Sequence, residues 1–270
     1  MGTLFLVATP IGNLSDISKR AIEVLQKVQL IACEDTRQTI KLLNHFGIQK
    51  PLTSYHQFNE EKKSTGLAEQ LAGDISIALV SDAGMPGISD PGFRLVRLCR
   101  NRGIAVVPIP GPNAALTALA ASGLPSDEFF FAGFLPPKKT ARQHRLTSLR
   151  NVPGTLIFYE APHRIEATLE DVQEVLGDRE VCIAREITKL HEEFLFGRLS
   201  ELKSKVKPLG EFVIIVSGAT EIRECWTLPR LSTYASIWRA SRNDSSYARS
   251  KQATAFKRKP PGGFTCRAAT

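Results

Sequence analysis

The sequence has no long apolar run, since none of its apolar stretches approaches the ~18 residues that a membrane-spanning helix requires. The N-terminus Met1-Gly-Thr-Leu-Phe-Leu also lacks the basic flank of a signal peptide. We therefore expect a soluble, cytoplasmic protein without a membrane partner.

Patterned cysteines and histidines are also missing. The 5 cysteines are widely spaced and include no C-x-x-C pair, and the 5 histidines include no H-x-x-x-H pair. An odd number of scattered cysteines argues against a disulfide framework and against a zinc site. No protein-held metal is expected.

Three common nucleotide and hydrolase motifs are absent. The chain has no G-x-G-x-x-G, no G-x-x-x-x-G-K-[ST] and no G-x-S-x-G. Ordinary dinucleotide binding, P-loop nucleotide hydrolysis and serine-hydrolase chemistry are therefore disfavoured.

The positive charge is confined to one end of the chain. Residues 1–221 contain 25 basic and 25 acidic residues, whereas residues 222–270 contain 10 and 2, which accounts for the net charge of +8. Net charge therefore says nothing about what the main part of the chain binds, and only local clusters count.

Strand-like and helix-like segments alternate along the first part of the chain, which indicates an α/β fold with a mostly parallel sheet. We expect an N-terminal α/β domain over residues 1–115, a second α/β domain over 116–221, and a poorly ordered basic tail over 222–270. The composition of the tail suggests a change of reading frame near residues 221–230.

Periodicity locates the individual elements. Helices are predicted at residues 17–28, with Asp16 as the possible N-cap, and at 36–46, 60–71, 114–121, 162–176 and 200–206. A linker or flexible loop is predicted at 133–140. Strands are predicted at residues 3–9, 30–33, 75–80, 104–107, 129–132, 155–159, 180–184, 193–196 and 212–216.

The most informative segment is S-D-A-G-M-P-G-I-S-D-P-G, residues 81–92, which follows a buried strand. Its glycines permit close approach to a ligand, and its prolines stiffen the turn. Asp82 is a candidate polar contact, whereas Asp90-Pro91 is predicted to begin the next helix with Asp90 as its N-cap. The alternative is a tight turn with no ligand.

Four Gly/Pro-rich or polar loops follow predicted strands, at residues 10–14, 81–92, 108–114 and 159–164. Loops after parallel strands gather at one edge of a sheet. We therefore expect the four loops to line one crevice.

Charged residues after later strands are candidates for holding a polyanion or activating a hydroxyl. Glu160, His163 and Arg164 lie within five residues of each other, and a similar mixture recurs at 185–192. Helix capping and a solvated charged face are the alternatives. C-E-D-T-R at 33–37 likewise either grips a substrate or begins a helix with stabilising acids.

One basic segment suggests a nucleic acid. No acidic residue occurs between Glu128 and Glu160. A flexible basic segment at a domain junction could clamp phosphates, although a solubilising loop would have the same composition. The cations of this segment are Lys138, Lys139, Arg142, Arg145 and Arg150, together with His144.

Six motifs in order closely resemble a family of ribosomal RNA small-subunit methyltransferases in the tetrapyrrole-methylase-like (class III methyltransferase) superfamily. They are L-V-A-T-P-I-G-N-L, C-E-D-T-R, the 81–92 loop, P-G-P-N-A, F-Y-E-A-P-H-R and A-R-E-I-T-K-L-H-E-E, spanning about residues 3–220. The resemblance implies two α/β domains with S-adenosylmethionine in the cleft between them, and a homodimer. It also implies 2′-O-methylation of a cytidine in the decoding centre of 16S ribosomal RNA.

The resemblance also implies which residues bind the cofactor. The expected cofactor contacts are Pro10, Asp82, Met85, Asn113, Ala114, Tyr159, Arg185 and Phe212. Ribose hydroxyls are weak nucleophiles, so a base or a cation is expected at the reacting oxygen. The candidates for that role are Glu160, His163, Arg185, Glu186 and Lys189, and the expected RNA contacts are Lys138, Lys139, Arg142, Arg145 and Arg164.

Two other functions remain open from the sequence. One is a small-molecule methylase of the same fold that acts on a tetrapyrrole, whose carboxylates would also attract basic residues. The other is a non-catalytic ribosome-assembly factor that binds RNA. The tail departs from the family pattern, in which a short helical module ends the chain.

Overall fold

The computed structural model describes residues 1–219. Its strands form two five-stranded sheets with helices against them, which confirms the predicted α/β class. The strands are β1 Thr3–Val7, β2 Leu30–Cys33, β3 Leu52–Ser54, β4 Ile77–Val80, β5 Ala105–Ile109, β6 Phe129–Phe134, β7 Thr155–Glu160, β8 Glu180–Arg185, β9 Glu193–Arg198 and β10 Phe212–Val216. The helices are α1 Lys19–Lys27, α2 Thr36–His45, α3 Glu60–Ala72, α4 Phe93–Asn101, α5 Ala114–Ala121, α6 Lys139–Leu149, α7 Ile165–Leu176 and α8 Leu199–Leu202.

The first sheet has the strand order β3-β2-β4-β1-β5, and every pair in it is parallel. Successive side chains along each strand point to opposite faces of the sheet, and helices cover both faces. Helices α3 and α4 pack on the face that contains Leu4 and Leu79, and α1 and α2 pack on the face that contains Val7 and Val80. The central strand β4 is buried along its whole length, which explains its unbroken apolar sequence.

The second sheet has the order β6-β7-β10-β8-β9. Only β6 and β7 are parallel, and the other neighbouring pairs are antiparallel. Leu156 and Phe158 of β7 face the helices α6 to α8. Ile157, between them, faces the buried side of α5. Helix α5 therefore packs on the second sheet, although it follows the last strand of the first sheet.

Every predicted strand is present, but several local features differ from the predictions. Strand β3 was missed because it is only three residues long. Segment 133–140 is not a flexible linker, since β6 continues to Phe134 and α6 begins at Lys139. The helix predicted at 200–206 ends at Leu202. Helix α1 is capped by Ser18 rather than by Asp16, because the Ser18 side chain accepts from the backbone N–H of Ala21.

Other predictions concern the organisation of the whole chain. The boundary between residues 115 and 116 remains a prediction, and the expected tail at 222–270 lies outside the described residues. Within residues 1–219, no helix is both long and apolar enough to cross a membrane. The same residues bring no three His, Cys, Asp or Glu side chains together as metal ligands.

Candidate active site

A cavity of about 540 Å³ lies where the loops after β1, β4, β5 and β7 meet. All four predicted loops contribute to it. The start of β10 joins them, because β10 is antiparallel and Phe212 pairs with both Glu160 and Arg185. The lining residues are Ile11, Asp82, Ala83, Gly84, Met85, Ile88, Asp90, Asn113, Ala114, Phe134, Tyr159, Glu160, Ala161, Pro162, His163, Ile187, Glu211, Phe212 and Val213.

The 81–92 loop is fastened to the end of β1 by backbone hydrogen bonds. Thr9 N–H donates to Gly84 O over 2.9 Å, and Gly84 N–H donates back to Thr9 O over 3.0 Å. The Thr9 hydroxyl also donates to Ser81 O over 3.0 Å. Gly84 has a φ of 78°, which favours glycine. The loop is therefore held in place at the cavity wall.

The loop after β5 is held just as closely. A Cβ on Gly111 would lie 2.8 Å from the Cβ of Ala8, so only glycine fits there. The side chain of Asn113 caps α5 by accepting from Leu116 N–H over 3.0 Å. The Tyr159 hydroxyl accepts from Ala115 N–H over 3.2 Å. These contacts tie the start of α5 to the second sheet at the cavity.

Asp82 connects the cavity to the C-E-D-T-R segment. Its Oδ1 accepts from the backbone N–H of Asp35 over 3.0 Å. Asp35 itself caps α2, and hydrogen bonds from Arg37 lower the pKa of its carboxyl to about 2. The carboxylate of Asp35 thus begins a helix, which was one of the two interpretations of this segment.

The prediction that Asp90 caps α4 was wrong. The N-cap is Gly92, which has a φ of 148° and makes no side-chain cap. The Glu60 side chain takes the place of a side-chain N-cap, because its Oε1 accepts from the backbone N–H groups of Gly92 and Arg94 over 3.1 and 3.2 Å. Asp90 instead lines the cavity.

The environment of Asp90 disfavours its charged form. Burial, together with the nearby charges of Glu34 and Asp82, raises the pKa of Asp90 to about 6. Burial also raises the pKa of Glu34, with Asp82 as a second cause. Burial, with the charge of Asp90 as a lesser contribution, raises the pKa of Tyr159. The cavity therefore contains a carboxyl that titrates close to neutral pH.

Glu160 and His163 both reach the cavity, but Glu160 is already occupied. Its buried carboxylate accepts from Ala161 N–H over 2.8 Å, Arg164 Nε over 2.8 Å and Thr168 Oγ1 over 2.6 Å. Arg164 in turn donates to Leu135 O over 2.8 Å. We interpret Glu160 and Arg164 as a pair that fixes the loop after β7, which weakens their assignment as base and RNA contact.

The remaining catalytic candidates lie outside the cavity lining. Arg185 Nε donates to Glu193 Oε2 over 2.9 Å. Lys189 Nζ donates to Glu186 Oε1 over 2.8 Å and to Glu211 Oε2 over 2.9 Å. Among these candidates and their hydrogen-bond partners, only Glu211 lines the cavity, and the sequence prediction did not include Glu211.

The predicted RNA contacts on α6 and at its start differ in how far they are exposed to solvent. Arg142 is 4% exposed, and its Nε donates to Asp171 Oδ2 over 2.6 Å. Since the guanidinium is enclosed between α6 and α7, the prediction that it clamps phosphates was wrong. Lys138 and Lys139 are exposed, and Arg145 is half-buried.

Most of the predicted cofactor contacts line the cavity. These are Asp82, Met85, Asn113, Ala114, Tyr159 and Phe212. Pro10 and Arg185 do not line the cavity themselves, but Pro10 precedes the lining residue Ile11 in the sequence, and Arg185 pairs with the lining residue Phe212. Sequence reasoning missed Ile11, Ile88, Phe134, Ile187 and Val213 as well as Asp90. Ile11 and Ile88 lie inside two of the loops that the sequence analysis expected to line the crevice. Their position in these loops could therefore have identified them as lining residues.

Known proteins resemble this chain over most of its length. The family profile "Tetrapyrrole (Corrin/Porphyrin) Methylases" matches residues 3–203. The chain is 53% identical over 233 residues to "Ribosomal RNA small subunit methyltransferase I" of Halalkalibacterium halodurans, covering 83% of this chain and 80% of that protein. It is 52% identical to the protein of the same name from Escherichia coli O157:H7, covering 80% and 78%.

Solved structures share the fold at low sequence identity. Diphthine synthase superimposes with a TM-score of 0.63 at 16% identity, covering 80% of this chain and 90% of that one. Uroporphyrin-III C-methyltransferase of Thermus thermophilus, complexed with S-adenyl homocysteine, gives 0.55 at 19% identity, covering 83% and 100%.

Proposed function

This chain belongs to the ribosomal RNA small subunit methyltransferase I family of the tetrapyrrole (corrin/porphyrin) methylases, and we propose on this basis that it methylates small-subunit ribosomal RNA. It is an S-adenosylmethionine-dependent methyltransferase. In the proposed reaction the acceptor is the 2′ oxygen of a cytidine ribose in the decoding centre of 16S ribosomal RNA.

The chemistry of the cavity supports S-adenosylmethionine as its occupant. The cofactor combines a purine with a ribose, an amino group and a cationic sulfonium. Met85, Ile88 and Phe212 offer apolar surface to a purine, and the carboxylates of Asp82 and Asp90 suit hydroxyl groups and cations. We propose as the contact set Asp82, Met85, Asn113, Ala114, Tyr159 and Phe212, with Pro10 and the backbone of Arg185 at its margin.

Asp90 and His163 are proposed as alternative acceptors of the proton of the ribose hydroxyl. When bound, the cofactor supplies a methyl group on a good leaving group, so positioning provides much of the rate. The hydroxyl still loses a proton. A general base works best when its pKa lies near the working pH, which Asp90 satisfies. His163 lines the same cavity and is the second candidate.

The comparisons favour RNA over the other two functions. The two relatives reported above, each more than half identical, are both named as ribosomal RNA methyltransferases. From the family resemblance we also propose that the protein works as a homodimer in the cytoplasm. Sedimentation of the purified protein would test the dimer.

The observation that carries the proposal is the single cavity that four strand-following loops enclose in a chain of this family. The test is transfer of a labelled methyl group from S-adenosylmethionine to purified small ribosomal subunits, with a tetrapyrrole as the control acceptor. We expect label in the subunits alone. Label in the tetrapyrrole would contradict the proposal, and so would cofactor binding without any transfer.

A further inference from the structure

Strand β6 exposes three phenylalanines at the edge of the second sheet. It pairs with β7 on one side and, within residues 1–219, with no strand on the other. The exposed fractions of Phe129, Phe130 and Phe134 are 45%, 37% and 57%. Apolar groups this large and this close together usually mark a contact surface.

The same strand leads into the cavity. A bulge between Phe131 and Gly133 interrupts its pairing with β7. Because of this extra residue, the rings of Phe131 and Phe134 both meet Tyr159 edge-on, with centroids 5.0 and 5.6 Å away. Phe134 therefore lines the cavity while more than half of its side chain remains exposed.

Positive charge lies beside these rings. The guanidinium of Arg145 on α6 sits 5.7 Å from the centroid of the Phe130 ring. Lys138 and His144 are exposed on the same helix or at its start. No acidic residue occurs between Glu128 and Glu160, so β6 and α6 contribute no negative charge of their own.

We propose that the exposed edge of β6 together with α6 binds the single-stranded RNA that flanks the target nucleotide. Phe134 stacks on a base next to the cavity, and Phe130 with Arg145 stacks on a base beyond the edge of β6, on the α6 face of the sheet. Lys138 contacts a phosphate. This inference rests on the proposed function, and it adds the surface on which the RNA approaches.

General features of single-strand recognition support the assignment. Proteins that bind single-stranded nucleic acid combine aromatic rings with a positively charged track. Phe130 pairs with Leu156 and lies on the α6 face of the sheet, whereas the bulge places Phe134, which pairs with Tyr159, on the cavity face. RNA that reaches both rings therefore passes around the unpaired edge of β6. The two residues are at most about 13 Å apart along the strand, a span that a few nucleotides can bridge. A second copy of this chain suits the surface less well, since a twofold contact would place two acid-free basic helices against each other.

The test compares Phe134→Leu and Phe130→Leu with Phe196→Leu. Phe196 is a matched control because it is 54% exposed on β9, at the opposite edge of the same sheet. Affinity is measured by fluorescence anisotropy with a fluorescein-labelled single-stranded RNA oligonucleotide that contains cytidine. We expect each β6 variant to lose about fivefold or more in affinity, as the loss of one stacked base predicts. The Phe196 variant should bind like the wild type.

Two further measurements separate the possible outcomes. Methyl transfer to small subunits should show a raised KM for Phe130→Leu with little change in kcat, and calorimetry should show unchanged S-adenosylmethionine affinity for that variant. Wild-type affinity in both β6 variants would overturn the inference, as would a wild-type protein that does not bind the oligonucleotide. Loss of a dimer in Phe130→Leu would assign the surface to a second copy. Failure of the wild type to methylate subunits would instead refute the proposed function.

Discussion

Replacing Asp90 by Asn tests the electrostatic account of the cavity. Asn has nearly the same shape as Asp and carries no charge. Burial raises the pKa of Asp90 from 3.8 to about 6, so the folded protein binds more protons than the unfolded chain between these values. The free energy of unfolding of the wild type therefore falls as the pH rises through this window.

The pKa values set the size of the effect. Each pH unit between them corresponds to about 1.4 kcal/mol, which gives an upper bound of about 3 kcal/mol above both pKa values. Because Asp90 is only partly buried, solvent screening reduces the cost of the charged carboxylate to about 1–2 kcal/mol. Asp90→Asn removes this cost. We expect the variant to exceed the wild type in free energy of unfolding by about 1–2 kcal/mol near pH 8, and by little near pH 4.

Urea denaturation of both proteins across this pH range measures the difference. Asp127→Asn is the control, because Asp127 is exposed and lies away from the cavity lining. A stability difference between wild type and Asp90→Asn that does not change with pH would refute the reasoning. If Asp90 is also the base, the more stable variant should lose methyl transfer, as expected when a strained active-site group is removed.

Three other changes test separate parts of the site. Asp82→Ala should abolish S-adenosylmethionine binding in calorimetry, while Asp127→Ala leaves it intact; unchanged affinity in the first variant would remove Asp82 from the contact set. Arg142→Ala should destabilise the fold by up to about 3–5 kcal/mol in thermal or urea denaturation, because the buried carboxylate of Asp171 then keeps only Gln143 and, at 3.9 Å, Lys139 as partners. Lys138→Ala should instead lower RNA affinity and its salt dependence, with little effect on stability. Equal stability losses in Arg142→Ala and Lys138→Ala would contradict the assignment of Arg142 to the fold and of Lys138 to RNA binding. If Asp90 is the base, the wild-type rate should fall towards acid pH with a midpoint near 6, and the residual activity of Asp90→Asn should lack this dependence; an unchanged profile in the variant would exclude Asp90 as the base.

The strands and the loops that follow them were predictable because their signals are local. Segment 81–92 combines a buried strand with a Gly/Pro-rich loop, and the structure places that loop at the cavity. The convergence of the three loops after β1, β4 and β5 followed from the parallel order of the first sheet, whereas the fourth loop follows β7 of the second sheet. The second sheet is mostly antiparallel, and there the convergence depends on the start of β10, which no local pattern revealed.

The roles of individual charged residues were not predictable, because they depend on partners distant in sequence. Asp90 has the sequence of a helix cap, yet Glu60, thirty residues earlier, accepts the hydrogen bonds that begin α4. Arg142 has the sequence of an RNA contact, yet Asp171 on α7 encloses it. Composition alone cannot separate a buried ion pair from a solvated one.

The central claim is tested most directly by mass spectrometry of ribosomal RNA nucleosides, after unmethylated small subunits have been incubated with this protein and S-adenosylmethionine. The account predicts 2′-O-methylcytidine, located in the decoding centre and absent when Asp82→Ala replaces the wild type. RNA without a new methylated nucleoside, or with the methyl group on a base instead of the ribose, would contradict it.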